Sequence, residues 1–330
     1  MTCSDTASGP ARDTPAPTRT RPPTATGELA GAGAGAGAGA ADAGAEPVVR
    51  LDDGGLRFAG RTLWQDLTLQ VAPGEFLAVL GPNGAGKTSL LKVLLGLQPL
   101  SAGTAHVCGR PARRGSDLVG YVPQQKDFDP DLPLRGQDLV RLGIDGHRYG
   151  LALPNRRVAA RVRQALADVG ATSYADTPVG VLSGGEQQRL RIAQALLGDP
   201  KLLLCDEPLL SLDPAHQQGV AALIDSRRRS AGTAVVFVTH EINPVLAMVD
   251  RVLYLAGGRW AVGPPAQVMT SSTLSELYGT DVEVLHVRGR VVVVGAPDEA
   301  PPPGHAHHDT DTHTDGRDRR AVAGPARRRH

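Results

Sequence analysis

Between Val48 and Val294 the chain alternates short apolar runs with stretches whose apolar residues recur at helical spacing. Phe76-Leu77-Ala78-Val79-Leu80, Leu202-Leu203-Leu204-Cys205 and Val235-Val236-Phe237-Val238 are unbroken by polar residues, as in strands buried on both faces. Each is followed by a helix-like pattern, the first from Ser89 to Leu97. Doubly buried strands that alternate with helices predict an α/β core with a mainly parallel sheet. From Lys126 to Val181 the pattern changes. Leu139, Val140 and Leu142, then Val158, Val162, Ala165 and Leu166, keep helical spacing, so a helical subdomain at about 126–182 is expected as an insertion in that core.

The ends differ in kind. Residues 1–46 are rich in Thr, Pro, Ala and Gly and include an alternating Gly-Ala run from Gly31 to Ala40. Residues 296–330 turn to Pro, His, Asp and Arg. Neither stretch holds enough apolar surface to offset its ordering entropy, so both are expected to be disordered around a single domain at 47–295. No repeat period appears within that domain.

Composition removes several classes of function. Lys and Arg total 35 against 34 Asp and Glu, a net charge of +1 that gives no general pull toward nucleic acid. No apolar run approaches the ~18 residues of a membrane span, and the N-terminus lacks the basic-then-apolar order of a secretory signal. Cys3, Cys108 and Cys205 are scattered and fit neither a disulfide framework nor a paired-cysteine metal site. A reducing cytoplasm is the simplest setting, with the chain soluble or held at a membrane by a partner.

The chemistry sits in a few short segments. Gly81-Pro82-Asn83-Gly84-Ala85-Gly86-Lys87-Thr88 lies between a predicted strand and a predicted helix, the context a phosphate-binding loop requires. Its glycines let successive backbone N–H groups turn inward around phosphate oxygens, beside the positive end of the helix. Gly81, Asn83, Gly84, Gly86, Lys87, Thr88 and Ser89 are the candidate nucleotide contacts, with Lys87 on the β- and γ-phosphates and the Thr88 hydroxyl on Mg²⁺. Leu203-Leu204-Cys205-Asp206-Glu207 ends a buried strand in two carboxylates. Beside a phosphate loop, Asp206 suits the metal of a magnesium nucleotide, and Glu207 is placed to polarise the attacking water.

Leu182-Ser183-Gly184-Gly185-Glu186-Gln187-Gln188-Arg189, about 20 residues before the acidic pair, resembles the signature motif of the ABC ATPase family. In bare physics it is a Ser-Gly-Gly turn opening a helix that runs to about Leu197, and hence a second anion site. One nucleotide does not need two such sites on one chain. Two chains facing head to tail do, with Ser183, Gly184, Gly185 and Gln187 of each acting on the ATP held by the other. The resemblance spans Val48 to Val294 and implies a P-loop NTPase core of ABC type that hydrolyses ATP. It further implies that Gln124 contacts metal and water and that His240, ending Val238-Thr239-His240, contacts the γ-phosphate. Asp213 would lie in the loop crossing the dimer interface, where Leu210 and Ser211 depart from the usual residues. Phe58 falls where the family places an aromatic that stacks on adenine.

The segment from Leu274 to His286 and the run Tyr121-Val122-Pro123-Gln124-Gln125 are similar to the zinc and manganese importer branch, although cobalamin and siderophore importers share the second. That branch implies a homodimer of ATP-binding subunits on the cytoplasmic face of a bacterial membrane. Its partners would be integral-membrane permease subunits and an extracytoplasmic metal-binding protein, with no nucleic acid. A cobalamin, haem or iron-chelate importer and a soluble non-transport ABC ATPase are the alternatives. His305, His307, His308 and His313, interleaved with Asp309, Asp311 and Asp315, are candidate Zn²⁺ ligands in the tail. A merely polar tail, with arginines that repel cations, is the competing reading of that segment.

Overall fold

The structure is a computed structural model that describes residues 46–124, 128–146, 155–210 and 212–296. In chain order the elements are β1 (Val49–Phe58), β2 (Arg61–Val71), β3 (Phe76–Leu80), α1 (Lys87–Leu94), β4 (Ala102–Val107), β5 (Arg110–Pro111) and β6 (Val119–Val122). Then come α2 (Gly136–Asp145), α3 (Arg156–Asp168), α4 (Gly184–Leu196), β7 (Leu202–Asp206), α5 (Pro214–Ala231) and β8 (Ala234–Val238). The last part holds β9 (Arg251–Ala256), β10 (Arg259–Gly263), α6 (Pro265–Val268), α7 (Ser271–Tyr278), β11 (Glu283–Val287) and β12 (Arg290–Val294).

The main sheet has the order β10-β9-β3-β8-β7-β6, parallel throughout except for β10. Its central strands are the three runs singled out by their continuous apolarity, and every residue of β3, β7 and β8 is buried. Alternate residues serve opposite layers, as a period of two requires. Phe76, Ala78, Leu203, Val235 and Phe237 pack with Val220 and Ile224 of α5. Leu77, Val79, Leu204, Val236 and Val238 pack with Leu90, Leu91 and Leu94 of α1. Fully burying each such side chain stabilises by roughly 1.5–3 kcal/mol, so the strand ends are held firmly in register.

The first layer beyond α1 is a separate antiparallel sheet, β2-β1-β4-β5, which the parallel-sheet expectation did not include. Its inner face delivers Leu51, Leu56, Trp64, Leu67 and Leu69 to the same core as α1. The helical stretch forms α2 and α3, closed by their own core of Leu139, Val140, Val162 and Leu166 against Leu190, Ala193 and Leu197. Helix α4 therefore faces two ways, since Ile192 joins the core under the parallel sheet. Helix α1 starts at Lys87 and ends at Leu94, earlier than the apolar pattern suggested. Gly96, at φ +66 and packed against the Arg113 backbone, turns the chain away.

Candidate functional site

Four neighbouring parallel strands, β3, β8, β7 and β6, deliver the phosphate loop, the two carboxylates, Gln124 and His240 from their carboxyl ends, where open α/β sheets place their ligand sites. The phosphate loop follows β3, Asp206 and Glu207 end β7, His240 follows β8, and Gln124 follows β6.

The loop from Gly81 to Gly86 is shaped by backbone that side chains resist. Gly81, Gly84 and Gly86 have φ of +138, +74 and +96. A Cβ at Gly81 would stand 2.0 Å from the Leu255 carbonyl oxygen, and one at Gly86 2.9 Å from the Trp64 indole nitrogen. At the mouth of α1, Lys87 is 5% exposed and donates from Nζ to the carbonyls of Gly81 (2.7 Å) and Pro82 (2.9 Å). Its ammonium thus sits inside the curl of the loop. Burial lowers the Lys87 pKa, and the nearby carboxylates of Glu207 and Asp206 oppose that shift.

Thr88 donates its hydroxyl to Asp206 across 3.1 Å. Asp206 is 2% exposed, and burial raises its pKa against the Thr88 hydrogen bond, which lowers it. A buried carboxylate beside a hydroxyl oxygen is a hard donor pair, the kind a magnesium ion takes. Glu207 occupies the left-handed region at φ +50, unusual for a non-glycine residue. Its N–H bonds the Val238 carbonyl at 3.0 Å, which helps to hold the strained turn. Gln124 Nε2 donates to Glu207 Oε2 at 2.9 Å, and His240 Nε2 pairs with Glu207 Oε1. One carboxylate thereby joins the ends of β6, β7 and β8.

Ser183 caps α4 in a full capping box. Its hydroxyl accepts from the Glu186 N–H, and the Glu186 carboxylate accepts from the Ser183 N–H at 2.9 Å. Gly184 and Gly185 form the first turn. Gln187 does not share that open end. It is 3% exposed, donates to the Leu182 carbonyl at 3.0 Å, and accepts from the Phe128 N–H at 3.4 Å. Arg191, one turn on, lies over the Phe128 ring at 4.5 Å, so Gln187 and Arg191 fasten α4 to the start of the helical segment. Asp213 caps α5, accepting from the N–H groups of Ala215 and His216 and pairing with the His216 ring. That His216 partner holds its carboxyl below the usual range.

Phe58 ends β1 at the hairpin to β2 and is 64% exposed. Leu63 and Trp64, which sequence reading did not single out, lie directly against Gly86 of the loop. They carry no motif, and only the fold of β2 onto α1 brings them there. Ser89 lies in the first turn of α1. The four tail histidines lie outside the described residues. Among the described residues no cluster of His, Cys, Asp or Glu is arranged to hold a metal ion, and no helix is long and apolar enough to cross a membrane.

Comparison with known proteins places these motifs in a family. Residues 64–210 match the model of the ABC transporter family. The zinc import ATP-binding protein of Halorhodospira halophila is 38% identical over 72% of this chain and 85% of its own length. That of Pseudomonas fluorescens is 36% identical over 79% and 95%. Among solved structures, a chain of an ABC transporter assigned to the metal-chelate type, in an inward-facing conformation, matches with a TM-score of 0.64 and 28% identity. The match covers 75% of this chain and 96% of that one.

Proposed function

This chain belongs to the ABC transporter family and is its ATP-hydrolysing, ATP-binding subunit, and from that premise we propose that it powers import of a divalent metal ion, zinc or manganese. The observation that carries the cargo is the likeness, over 72% and 79% of this chain and 85% and 95% of theirs, to zinc import ATP-binding proteins. A cobalamin, haem or iron-chelate cargo, and a soluble non-transport role, have less in their favour. The subunit would work as one of two identical cassettes beneath two permease subunits, on the cytoplasmic face of a bacterial membrane. An extracytoplasmic protein would deliver the metal.

The geometry supports a division of labour. Backbone N–H groups from Gly84 to Ser89 and the start of α1 would cradle the phosphates, with Asn83 beside them and the Phe58 ring on adenine. Lys87 would exchange its two loop carbonyls for β- and γ-phosphate oxygens. Thr88, Asp206 and Gln124 would hold Mg²⁺, which when bound neutralises charge on those phosphates. Glu207 would accept a hydrogen bond from the attacking water and align it with the γ-phosphorus. As the new P–O bond forms, the bond to the β,γ-bridging oxygen breaks and ADP leaves. His240 and Gln124, each on one oxygen of Glu207, would orient it and reach the γ-phosphate. Ser183, Gly184 and Gly185 would close over the partner's ATP, with Asp213 in the loop between the cassettes. Gln187 would act from behind, by fixing the first turn of α4. Zinc binding by His305, His307, His308 and His313 is a separate proposal that rests on their residue types alone.

The test is the metal content of metal-starved cells carrying either the native chain or Glu207→Gln. A selective shortfall of zinc or manganese in the variant is expected. Unchanged zinc and manganese with a shortfall of cobalamin or iron would move the cargo to a chelate, and no shortfall of any kind would contradict import.

A further inference from the structure

The loop that carries His240 has two anchors, one on each side. Upstream, the Thr239 N–H bonds the Val79 carbonyl at 3.2 Å, and the Thr239 hydroxyl bonds both the N–H (3.2 Å) and the carbonyl (2.9 Å) of Glu241. Downstream, Asn243 reaches outside the sheet. Its Nδ2 donates to the Val291 carbonyl at 3.0 Å, and its Oδ1 accepts from the Val291 N–H at 2.8 Å. Val291 is in β12 and lies opposite His286 of β11, so one side-chain amide satisfies both outward backbone groups of a hairpin residue. That pairing resembles a one-residue extension of the hairpin's sheet. Its geometry is specific because donor and acceptor must both be present at fixed positions.

Between the two sides lies a cleft of about 570 Å³, lined by Gly81 and Asn83 of the phosphate loop, by His240, and by Val291 and Val293 of the hairpin. The hairpin is itself seated, since Val291, and Val282 just before β11, are buried in the core that receives α7. Asn243 is three residues from His240, and Ile242 between them is buried. The Asn243 amide is thus a direct two-bond link between the His240 loop and the hairpin, at the edge of this cleft and beside Ile242 and Val291, which share one core.

We infer that Asn243 is a positioning residue for hydrolysis: its amide ties the His240 loop to the C-terminal hairpin and so sets how His240 stands against Glu207. The inference rests on the role given to His240 above. It differs from a packing role because it acts through one named side chain, and it makes the hairpin part of the hydrolytic machinery.

The test is a double-mutant cycle in steady-state ATP hydrolysis by the full chain, using Asn243→Ala, His240→Ala and the pair. Asn243→Ala should lower kcat on the order of tenfold, the scale expected for a misplaced group, with KM for ATP little changed. Asn243→Asp keeps the acceptor for the Val291 N–H but sets a carboxylate oxygen against the Val291 carbonyl, so it breaks one of the two bonds and should also lower kcat. A KM for ATP near the native value in either variant shows that the fold is kept. In the His240→Ala background, Asn243→Ala should cost nothing further. An undiminished loss in that background, a rise in KM with kcat intact, or no change in kcat for either Asn243 variant would overturn the inference. If His240→Ala alone leaves kcat intact, the role of His240 fails instead, and that outcome is told apart from the others by the single variant.

Discussion

Asp206 and Glu207 are adjacent, yet the fold treats their charges differently. Asp206 is buried under the phosphate loop with one hydroxyl for a partner, while Glu207 is turned into a left-handed conformation where Gln124 and His240 take its two oxygens. The raised Asp206 pKa makes its ionised form a cost to the fold. That cost is absent while both folded and unfolded states are protonated. It grows as pH rises from the ordinary carboxylate range to the raised value, and it stays in full above that value. Asp206→Asn should therefore raise the melting temperature at neutral pH, measured without nucleotide, by roughly 2–4 °C if the relief is about 1 kcal/mol. The gain should shrink as the pH falls through the raised Asp206 value and be gone at or below the ordinary carboxylate pKa, and ATP turnover should be lost. A lower melting temperature at neutral pH would show that the Asp206 charge stabilises the fold. This arrangement, stability given up for a charged site, is common where a protein must bind a cation.

At the level of elements, the three apolar strands were legible because burial on both faces leaves nothing but apolar residues in the sequence. The antiparallel sheet was not. In β1, Val49-Arg50-Leu51-Asp52-Asp53-Gly54-Gly55-Leu56, two bulges and a positive φ at Asp53 break the alternation that would have marked a half-buried strand. In β2 the positive φ at Asp66 falls between Trp64 and Leu67, both buried, so the period slips by one there too. The signature-like segment was legible as a turn opening a helix, but the inward turn of Gln187 was not, because the packing of Phe128 on α4 supplies one of that amide's partners. Two glycines of the phosphate loop should lose unequal amounts of stability to an added methyl group. Gly81→Ala drives a Cβ into the Leu255 carbonyl between β3 and β9, and should lower stability by at least about 2 kcal/mol in a denaturant titration. Gly84→Ala meets no atom within 4 Å and should stay folded, at a cost of about 1 kcal/mol for its positive φ. It should nevertheless lose ATP affinity, because the methyl group enters the space the phosphates need. Equal stability for the two variants would contradict this account of the loop.

On the scale of the whole molecule, segments 83 residues apart meet in the bond between Gln124 and Glu207, and no local pattern announces that meeting. What the sequence did carry was the order of the motifs, which supports the proposed pairing of cassettes: a phosphate loop in one chain and a capped, glycine-led helix to close it from another. The structure describes one chain with both halves of that arrangement, the loop at β3 and the open turn at Ser183. If the capped helix acts in trans, Ser183→Ala should leave the first ATP bound with near-native affinity while cutting turnover. The lost cap itself should cost about 1 kcal/mol of stability. A parallel loss of ATP affinity would place Ser183 on its own chain's nucleotide.

The most direct test is the mass in solution of the Glu207→Gln chain with saturating magnesium and ATP. Two 34.4 kDa chains held together by two unhydrolysed nucleotides are expected, separating again when ATP is removed. A single chain with ATP bound would contradict the shared, head-to-tail site.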